Sequence, residues 1–184
     1  ALPIFPFGQL MGEISYVAQD NFLFDKSIRE NIRMGNPDAS DEEVEAAAKA
    51  ANCHDFIMQL EQGYDTMAGD AGARLSGGER QRITIARAML KQASVIILDE
   101  ATAYADPENE ALIQQAISKL VVGKSLIVVA HRLNTIRNAD QILVVANGEI
   151  VGRGIQEELL QSCPLYRKMW QDYTGSTEGG AEDV

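Results

Sequence analysis

The sequence predicts an α/β fold with a mainly parallel sheet flanked by helices. Two runs, 95–98 and 125–130, which are apolar throughout except for Ser125, are typical of parallel strands that are covered on both faces. Helical patterns lie before and between these runs, so strands and helices alternate along the chain. A further helical stretch over 40–62 predicts a helical subdomain added to this core.

Composition sets the limits on function. The chain has 184 residues and 46% hydrophobic content, enough for one domain with a core. No apolar run approaches the ~20 residues that cross a bilayer, and no basic start indicates a signal peptide, so we expect this piece to be soluble by itself. The net charge of −11 argues against a nucleic-acid partner. Two distant cysteines indicate a reducing compartment and no metal framework.

The amino-terminal elements come first in chain order. Two prolines and two glycines in residues 1–12 predict an irregular segment. A short strand then ends near Gln19, and a glutamine at a strand end means little alone. The apolar loop residues Phe22, Leu23 and Phe24 either pack inward or dock a partner, and the sequence leaves both interpretations open.

A helix is predicted to begin at Leu75-Ser-Gly-Gly-Glu79. Ser76 is placed to cap the helix, and Glu79 three residues later completes a capping-box pattern. Gly77 and Gly78 expose the first backbone N–H groups and let a ligand approach them closely. Since a helix start also carries the positive end of the dipole, this pattern predicts an anion site of the kind that holds phosphate.

Acidic residues and a histidine follow the two apolar strands. Asp99 and Glu100 end the first one, where open α/β sheets bind ligands, and are suited to holding a metal ion and to orienting or deprotonating a water. Asp106 and Pro107 form a cap and first turn of the next helix. His131 follows the second strand and can contact a developing phosphate charge near neutral pH.

The carboxyl-terminal third contains a hairpin and helices. Asn147-Gly148 between two apolar runs predicts a tight hairpin, and 155–173 is predicted to be helical. The acidic, Gly- and Ser-rich segment 174–184 is expected to be disordered. Gly123-Lys124-Ser125 is the one Gly-Lys-Ser in the chain, but a strand follows it and no glycine lies five residues earlier, so we do not interpret it as a phosphate-binding loop.

These motifs resemble those of ABC transporter ATP-binding domains. Leu75-Ser-Gly-Gly-Glu79 with Arg80-Gln81-Arg82 is similar to their signature, and 95–100 is similar to their Walker B motif with its catalytic glutamate. The segment Ser27-Ile-Arg-Glu-Asn-Ile32 after Gln19 is similar to the exporter-type subfamily. The resemblance covers residues 13–173, with a helical subdomain at about 27–92, and implies a P-loop NTPase-like fold whose first strand, P-loop and following helix are missing here.

The resemblance implies specific roles at matching positions. Two such domains close head to tail on two ATP molecules, as identical or different partners, at the cytoplasmic face of the membrane and under the transporter's transmembrane domains. The implied roles are γ-phosphate binding by Ser76, Gly77, Gly78 and Glu79, a dimer-interface contact by Asp106, Mg²⁺ binding by Asp99 and Gln19, water activation by Glu100, and γ-phosphate contact by His131.

Because the sequence contains no P-loop motif, GxxxxGK[ST], three hypotheses about its function stay open. The first is the ATP-hydrolysing domain of an exporter-type ABC transporter, with the chain inactive on its own. The second is a non-catalytic module that lends its signature to another ABC domain, and the third is a soluble ABC ATPase outside transport.

Overall fold

The structure is a computed structural model that describes residues 6–99, 107–130 and 133–178. It divides into two compact units, one ending at Val129 and one beginning at Ala130. The elements of the first unit are α1 (Phe7–Glu13), β1 (Ile14–Val17), α2 (Ile28–Arg33), α3 (Asp41–Ala50), α4 (His54–Gln59), α5 (Gly77–Lys91), β2 (Val95–Asp99), α6 (Pro107–Leu120) and β3 (Ser125–Val129). The second unit contains β4 (Ile142–Ala146), β5 (Glu149–Gly154), α7 (Gln156–Ser162) and α8 (Pro164–Glu178).

The sheet of the first unit is parallel, in the order β1-β2-β3. Val17 of β1 pairs with Leu98 of β2, and Leu98 pairs with Val128 of β3. All three carboxyl ends therefore meet at one edge, and residues that follow these strands are brought to that edge. This confirms the predicted α/β class.

Helix α5 is the central helix of the first unit and packs against α2, α3, α6 and β1. Most of its residues are buried, including the fully buried Ile83 and Ile85. Its apolar residues join those of the buried sheet face, Ile96 and Leu98, in one core. The position of its first turn is therefore fixed by the core of the whole unit.

Two strands were predicted to be covered on both faces, and this part of the prediction is wrong. In β2 the burial alternates, with Ile96 and Leu98 buried and their neighbours half-buried. All five residues of β3 are exposed, with Ile127 at 52%. Within the described residues β3 pairs with β2 alone and lies at the sheet edge. An apolar run predicts a strand, but the run cannot say which of its faces is covered.

The amino-terminal segment also differs from the prediction, because residues 7–13 form α1. Pro6 precedes this helix at its N-cap, where a missing N–H costs nothing, and its carbonyl accepts a hydrogen bond from the Leu10 amide. None of its residues is buried. The prolines thus lie before the helix and not inside it.

The stretch 40–62 forms two helices. The predicted N-cap Ser40 is confirmed, with a complete capping box to Glu43. The helix α3 ends where Asn52 adopts a positive φ of 55°, and α4 begins at His54. This left-handed residue is what interrupts the helical pattern.

The second unit contains the predicted hairpin, and its last helix is longer than predicted. Strands β4 and β5 are antiparallel, and Asn147 and Gly148 between them have φ values of 53° and 81°, as a tight hairpin turn requires. Helix α8 continues to Glu178, so the expected disorder from residue 174 is wrong over the first residues of that segment. The Thr174 hydroxyl donates to the carbonyl of Trp170, a bond that keeps this residue compatible with a helix. Residues 179–184 lie outside the described residues.

Candidate functional site

The start of α5 has the predicted cap. Ser76 is extended, and its Oγ accepts a hydrogen bond from the Glu79 amide at 3.3 Å. The Glu79 carboxylate in turn accepts from the Ser76 amide at 2.8 Å. This reciprocal pair fixes the first turn and brings the negative charge of Glu79 to the helix start.

The two glycines of this turn have different surroundings. A Cβ on Gly77 would meet nothing closer than Arg80 Nη2 at 4.0 Å, so this position is open to a ligand. A Cβ on Gly78 would lie 2.9 Å from Cγ of Asn109 on α6, closer than real Cβ contacts. Gly77 therefore leaves space for an approaching group, whereas Gly78 lets α5 and α6 pack closely. Asn109 was not predicted from the sequence.

Asp99 ends β2 at the carboxyl edge of the sheet, as predicted. Its Oδ2 accepts a hydrogen bond from the Tyr16 hydroxyl of β1 at 2.7 Å. Tyr16 pairs with Ile97, so strand alternation places Tyr16 and Asp99 on the same face of the sheet. This hydrogen bond is the main cause that raises the pKa of Tyr16 above its ordinary value. Nothing in the sequence indicated the contact, because it depends on strand register.

Gln19 lies two residues beyond β1, at the same edge of the sheet as Asp99. Its backbone carbonyl accepts from Asn21 Nδ2 at 3.1 Å, and Asn21 has a positive φ of 45°. Asn21 Oδ1 lies 3.1 Å from the Thr84 hydroxyl of α5. The turn after β1 is therefore attached to α5, which holds Gln19 near the strand end.

The donor set at this edge suits magnesium on a nucleotide. Among the described residues there is no group of three or more His, Cys, Asp or Glu side chains that would enclose a metal. Mg²⁺ bound to phosphates needs only one or two protein oxygens and keeps several waters. Asp99 supplies a carboxylate whose Oδ1 has no hydrogen-bond partner among the described residues, and Gln19 supplies an amide oxygen.

Three predicted site residues, Glu100, Asp106 and His131, lie outside the described residues. Their roles stay predictions. Pro107, predicted in the first turn of a helix, is the first residue of α6. Lys124 of the Gly-Lys-Ser sequence immediately precedes strand β3, as expected, and does not open a helix.

In the aromatic loop, residues 21–26, the two interpretations, inward packing and docking of a partner, each apply to different apolar residues. Leu23 is fully buried in the core. Phe22 and Phe24 are 50% and 44% exposed, and their rings contact edge to face with centroids 5.1 Å apart. One residue of the loop thus packs inward, and the other two form an exposed aromatic pair.

Comparison with known proteins gives the family. The sequence model of the ABC transporter family matches residues 7–103, more than half of the 184-residue chain. A Staphylococcus aureus protein named as a multidrug export ATP-binding/permease protein is 48% identical over 163 residues, covering 89% of this chain and 28% of the relative. An ATP-dependent lipid A-core flippase of Syntrophus aciditrophicus is 50% identical over 162 residues, covering 88% and 27%.

A solved structure agrees with this match. A bacterial Atm1-family ABC exporter with ATP bound matches with a TM-score of 0.80 and 39% identity, over 96% of this chain and 30% of that one. The parallel sheet with its flanking helices and the family match define an α/β nucleotide-binding protein. More specifically, the chain belongs to the ABC transporter family, and its relatives are exporters, as the sequence motifs predicted.

The chain matches only part of each relative. It spans 28% of the length of the Staphylococcus protein, whose name joins an ATP-binding to a permease part. Within the part of the chain that the structure describes, no helix is long and apolar enough to cross a membrane. ATP hydrolysis is the activity of this family.

Proposed function

We propose that this chain is most of the ATP-binding domain of an exporter-type ABC transporter, which couples ATP hydrolysis to transport of a substrate across the membrane. The observation that carries the proposal is the capped first turn of α5, where Gly77 is open to a ligand and the unit's core fixes the helix. The backbone N–H groups of Gly77 and Gly78 belong to the first turn of α5, where the helix itself provides no acceptor for them. They are free to donate to a phosphate.

The proposed roles of the site residues rest on this arrangement. Ser76, Gly77, Gly78 and Glu79 form the surface that meets the γ-phosphate of a nucleotide held by a partner domain. Asp99 and Gln19 would hold Mg²⁺, whose charge supplies electrostatic stabilisation to the phosphates. Glu100 orients and deprotonates water, His131 contacts the γ-phosphate, and Asp106 crosses to the partner.

The P-loop must come from outside these residues, because the sequence contains no GxxxxGK[ST]. We propose a head-to-tail pair in which the signature turn of this chain closes on ATP held by the P-loop of a second ABC domain. The pair would lie at the cytoplasmic face of the membrane. The alternative of a non-catalytic module rests on the same observation, an ordered signature turn in a sequence without a P-loop.

This proposal is tested by ATP-dependent association with an ABC domain that has an intact P-loop. We expect MgATP to drive a complex, measured by analytical ultracentrifugation, and Gly77→Asp to weaken it by roughly 10-fold or more, since a carboxylate there repels phosphate at an effective dielectric near 20. Glu79→Gln keeps the cap but removes its charge, and we expect it to tighten the complex.

Gly8→Asp is the matched control, because a Cβ at Gly8 of α1 also meets open space. An association that does not depend on MgATP, or that Gly77→Asp leaves unchanged, contradicts the proposal. Turnover separates the two hypotheses once this chain is given a P-loop, by placing the P-loop segment of the Syntrophus flippase ahead of Ala1. Hydrolysis that Glu100→Gln removes identifies the catalytic domain, and closure without such hydrolysis identifies the non-catalytic module.

We also propose that the exposed aromatic pair docks the membrane part of the transporter. The relatives carry ATP-binding and permease parts in one polypeptide, which supports a membrane-side helix as the occupant. Phe22 and Phe24 offer exposed aromatic surface, while the intervening Leu23 anchors the loop in the core. Aromatic anchors of this kind dominate the energy of many interfaces.

The docking proposal predicts that some substitutions in the aromatic loop weaken binding without loss of stability, whereas another lowers stability. Phe22→Ala with Phe24→Ala is expected to weaken binding to the isolated permease part of a relative by at least about 10-fold while the melting temperature changes little. Leu23→Ala removes a fully buried side chain and is expected to cost about 2–5 kcal/mol of stability. Met58→Ala is the control, since Met58 is exposed at 58% outside this loop. Equal loss of binding in Met58→Ala would contradict the assignment.

A further inference from the structure

The backbone of the aromatic loop is held by one buried side chain, Asn31 of α2. Asn31 Oδ1 accepts from the Phe24 amide at 2.9 Å, and Nδ2 lies 3.0 Å from the Phe24 carbonyl. The same Nδ2 lies 3.1 Å from the Ser27 carbonyl and 3.3 Å from that of Lys26. Because Asn31 is fully buried, each of these bonds is made without competition from water. Asn31 thus sets the path of the chain on both sides of Phe24.

Arg87 joins this arrangement to the signature helix α5. Its Nε donates to the Asn31 carbonyl at 2.8 Å, and its Nη2 donates to Asn31 Oδ1 at 3.1 Å. Its Nη1 reaches the Phe22 carbonyl at 3.4 Å. Burial lowers the pKa of Arg87, yet a guanidinium stays protonated in proteins, so these are charge-assisted bonds. One side chain of α5 therefore reaches Asn31 and the carbonyl of one exposed phenylalanine.

A second contact from the same face of α5 reaches the start of the loop. Thr84, one turn before Arg87, lies with its hydroxyl 3.1 Å from Asn21 Oδ1 and 2.8 Å from the Gln81 carbonyl, so its single proton is shared between these two acceptors. Residues three apart lie on one face of a helix. The aromatic loop is thus attached to α5 at two successive positions of that face.

The other end of α5 is the capped glycine turn. Ten residues separate Gly77 from Arg87, which is about 15 Å along a helix. Packing of α5 into the core leaves little room for bending between these points. The loop contact at Arg87 and the turn at Gly77 are therefore held at a fixed distance from each other by the helix itself.

We propose that Asn31 and Arg87 are positioning residues that lock the exposed Phe22–Phe24 pair to the signature helix, so that a membrane-side helix docked on this pair and the phosphate-binding turn are held in one fixed geometry. The inference rests on the proposed function for the identity of the docked helix and of the ligand. The mechanical link between loop and helix does not depend on either.

The link is tested by distances between two spin labels in the 184-residue chain without nucleotide. One label replaces Phe22 and the other replaces the exposed Ala73 ahead of the signature turn, while the native cysteines are buried. We expect a narrow distance distribution that broadens at least about twofold in Arg87→Ala and Asn31→Ala, as the loop opens locally. Thr84→Val, which lacks the hydroxyl, is expected to broaden it, and Thr84→Ser is expected to restore it.

Two controls separate this role from general support of the fold. Arg33→Lys changes an arginine that bonds to Ala39 and to nearby carboxylates but not to the aromatic loop. A second label pair, at Met58 and Ala73, reports on the unit without crossing the loop. Unchanged distances in Arg87→Ala overturn the proposal, and so does equal broadening of the second pair. Because no ATP is present, these outcomes do not depend on whether the proposed association with a P-loop domain occurs.

Discussion

The chain on its own is expected to show no saturable ATPase turnover and negligible ATP affinity. The sequence lacks GxxxxGK[ST], the loop whose backbone and lysine hold nucleotide phosphates. If that loop supplies about four charge-assisted hydrogen bonds worth roughly 1.5 kcal/mol each, its loss removes about 6 kcal/mol, or ~10⁴ in affinity. A micromolar or millimolar site then becomes undetectable under ordinary assay conditions.

The measurement is steady-state phosphate release by the purified chain, compared with a chimaera that carries the P-loop segment of the Syntrophus flippase ahead of Ala1. The chimaera is expected to bind and hydrolyse ATP, and Asp99→Asn in the chimaera is expected to remove most of that activity by weakening the Mg²⁺ site. Saturable turnover by the unmodified chain would refute the prediction.

How far the sequence predicts this structure depends on whether the signal is local. The cap at Ser76 and Glu79 is a contact over three residues, and it forms as predicted. The Asn147-Gly148 turn is equally local, because its conformation depends on the two residues that adopt positive φ.

The contacts that sequence reasoning missed are those that depend on register and packing. The Tyr16 hydroxyl meets Asp99 only because β1 pairs with β2 in one register, and the two residues are 83 positions apart. The same holds for Arg87 and Asn31, which belong to different helices. Burial of β3 was mispredicted for a related reason, since an apolar run carries no information on what lies against it.

The two glycines of the signature turn are expected to differ sharply when each is replaced by alanine. At Gly78 the new Cβ would lie 2.9 Å from Asn109 Cγ and 3.0 Å from its Cβ, so α5 and α6 must separate or strain. Overpacking of this kind costs about 1–3 kcal/mol, or roughly 5 °C in melting temperature for a chain of this size. At Gly77 the Cβ meets open space, and we expect stability to change by no more than about 0.5 kcal/mol.

At Gly77 we expect the alanine substitution to impair function although it leaves stability almost unchanged. Gly77→Ala keeps the fold but places a methyl group where a phosphate would approach the backbone, so MgATP-dependent association is expected to fall while the melting temperature holds. For Gly78→Ala, thermal melts of a double-mutant cycle with Asn109→Ala identify the cause, because removing Cγ and Oδ1 relieves part of the crowding. The two substitutions together are expected to cost about 1 kcal/mol less than their sum. Strict additivity would show that Asn109 is not what excludes a side chain at Gly78.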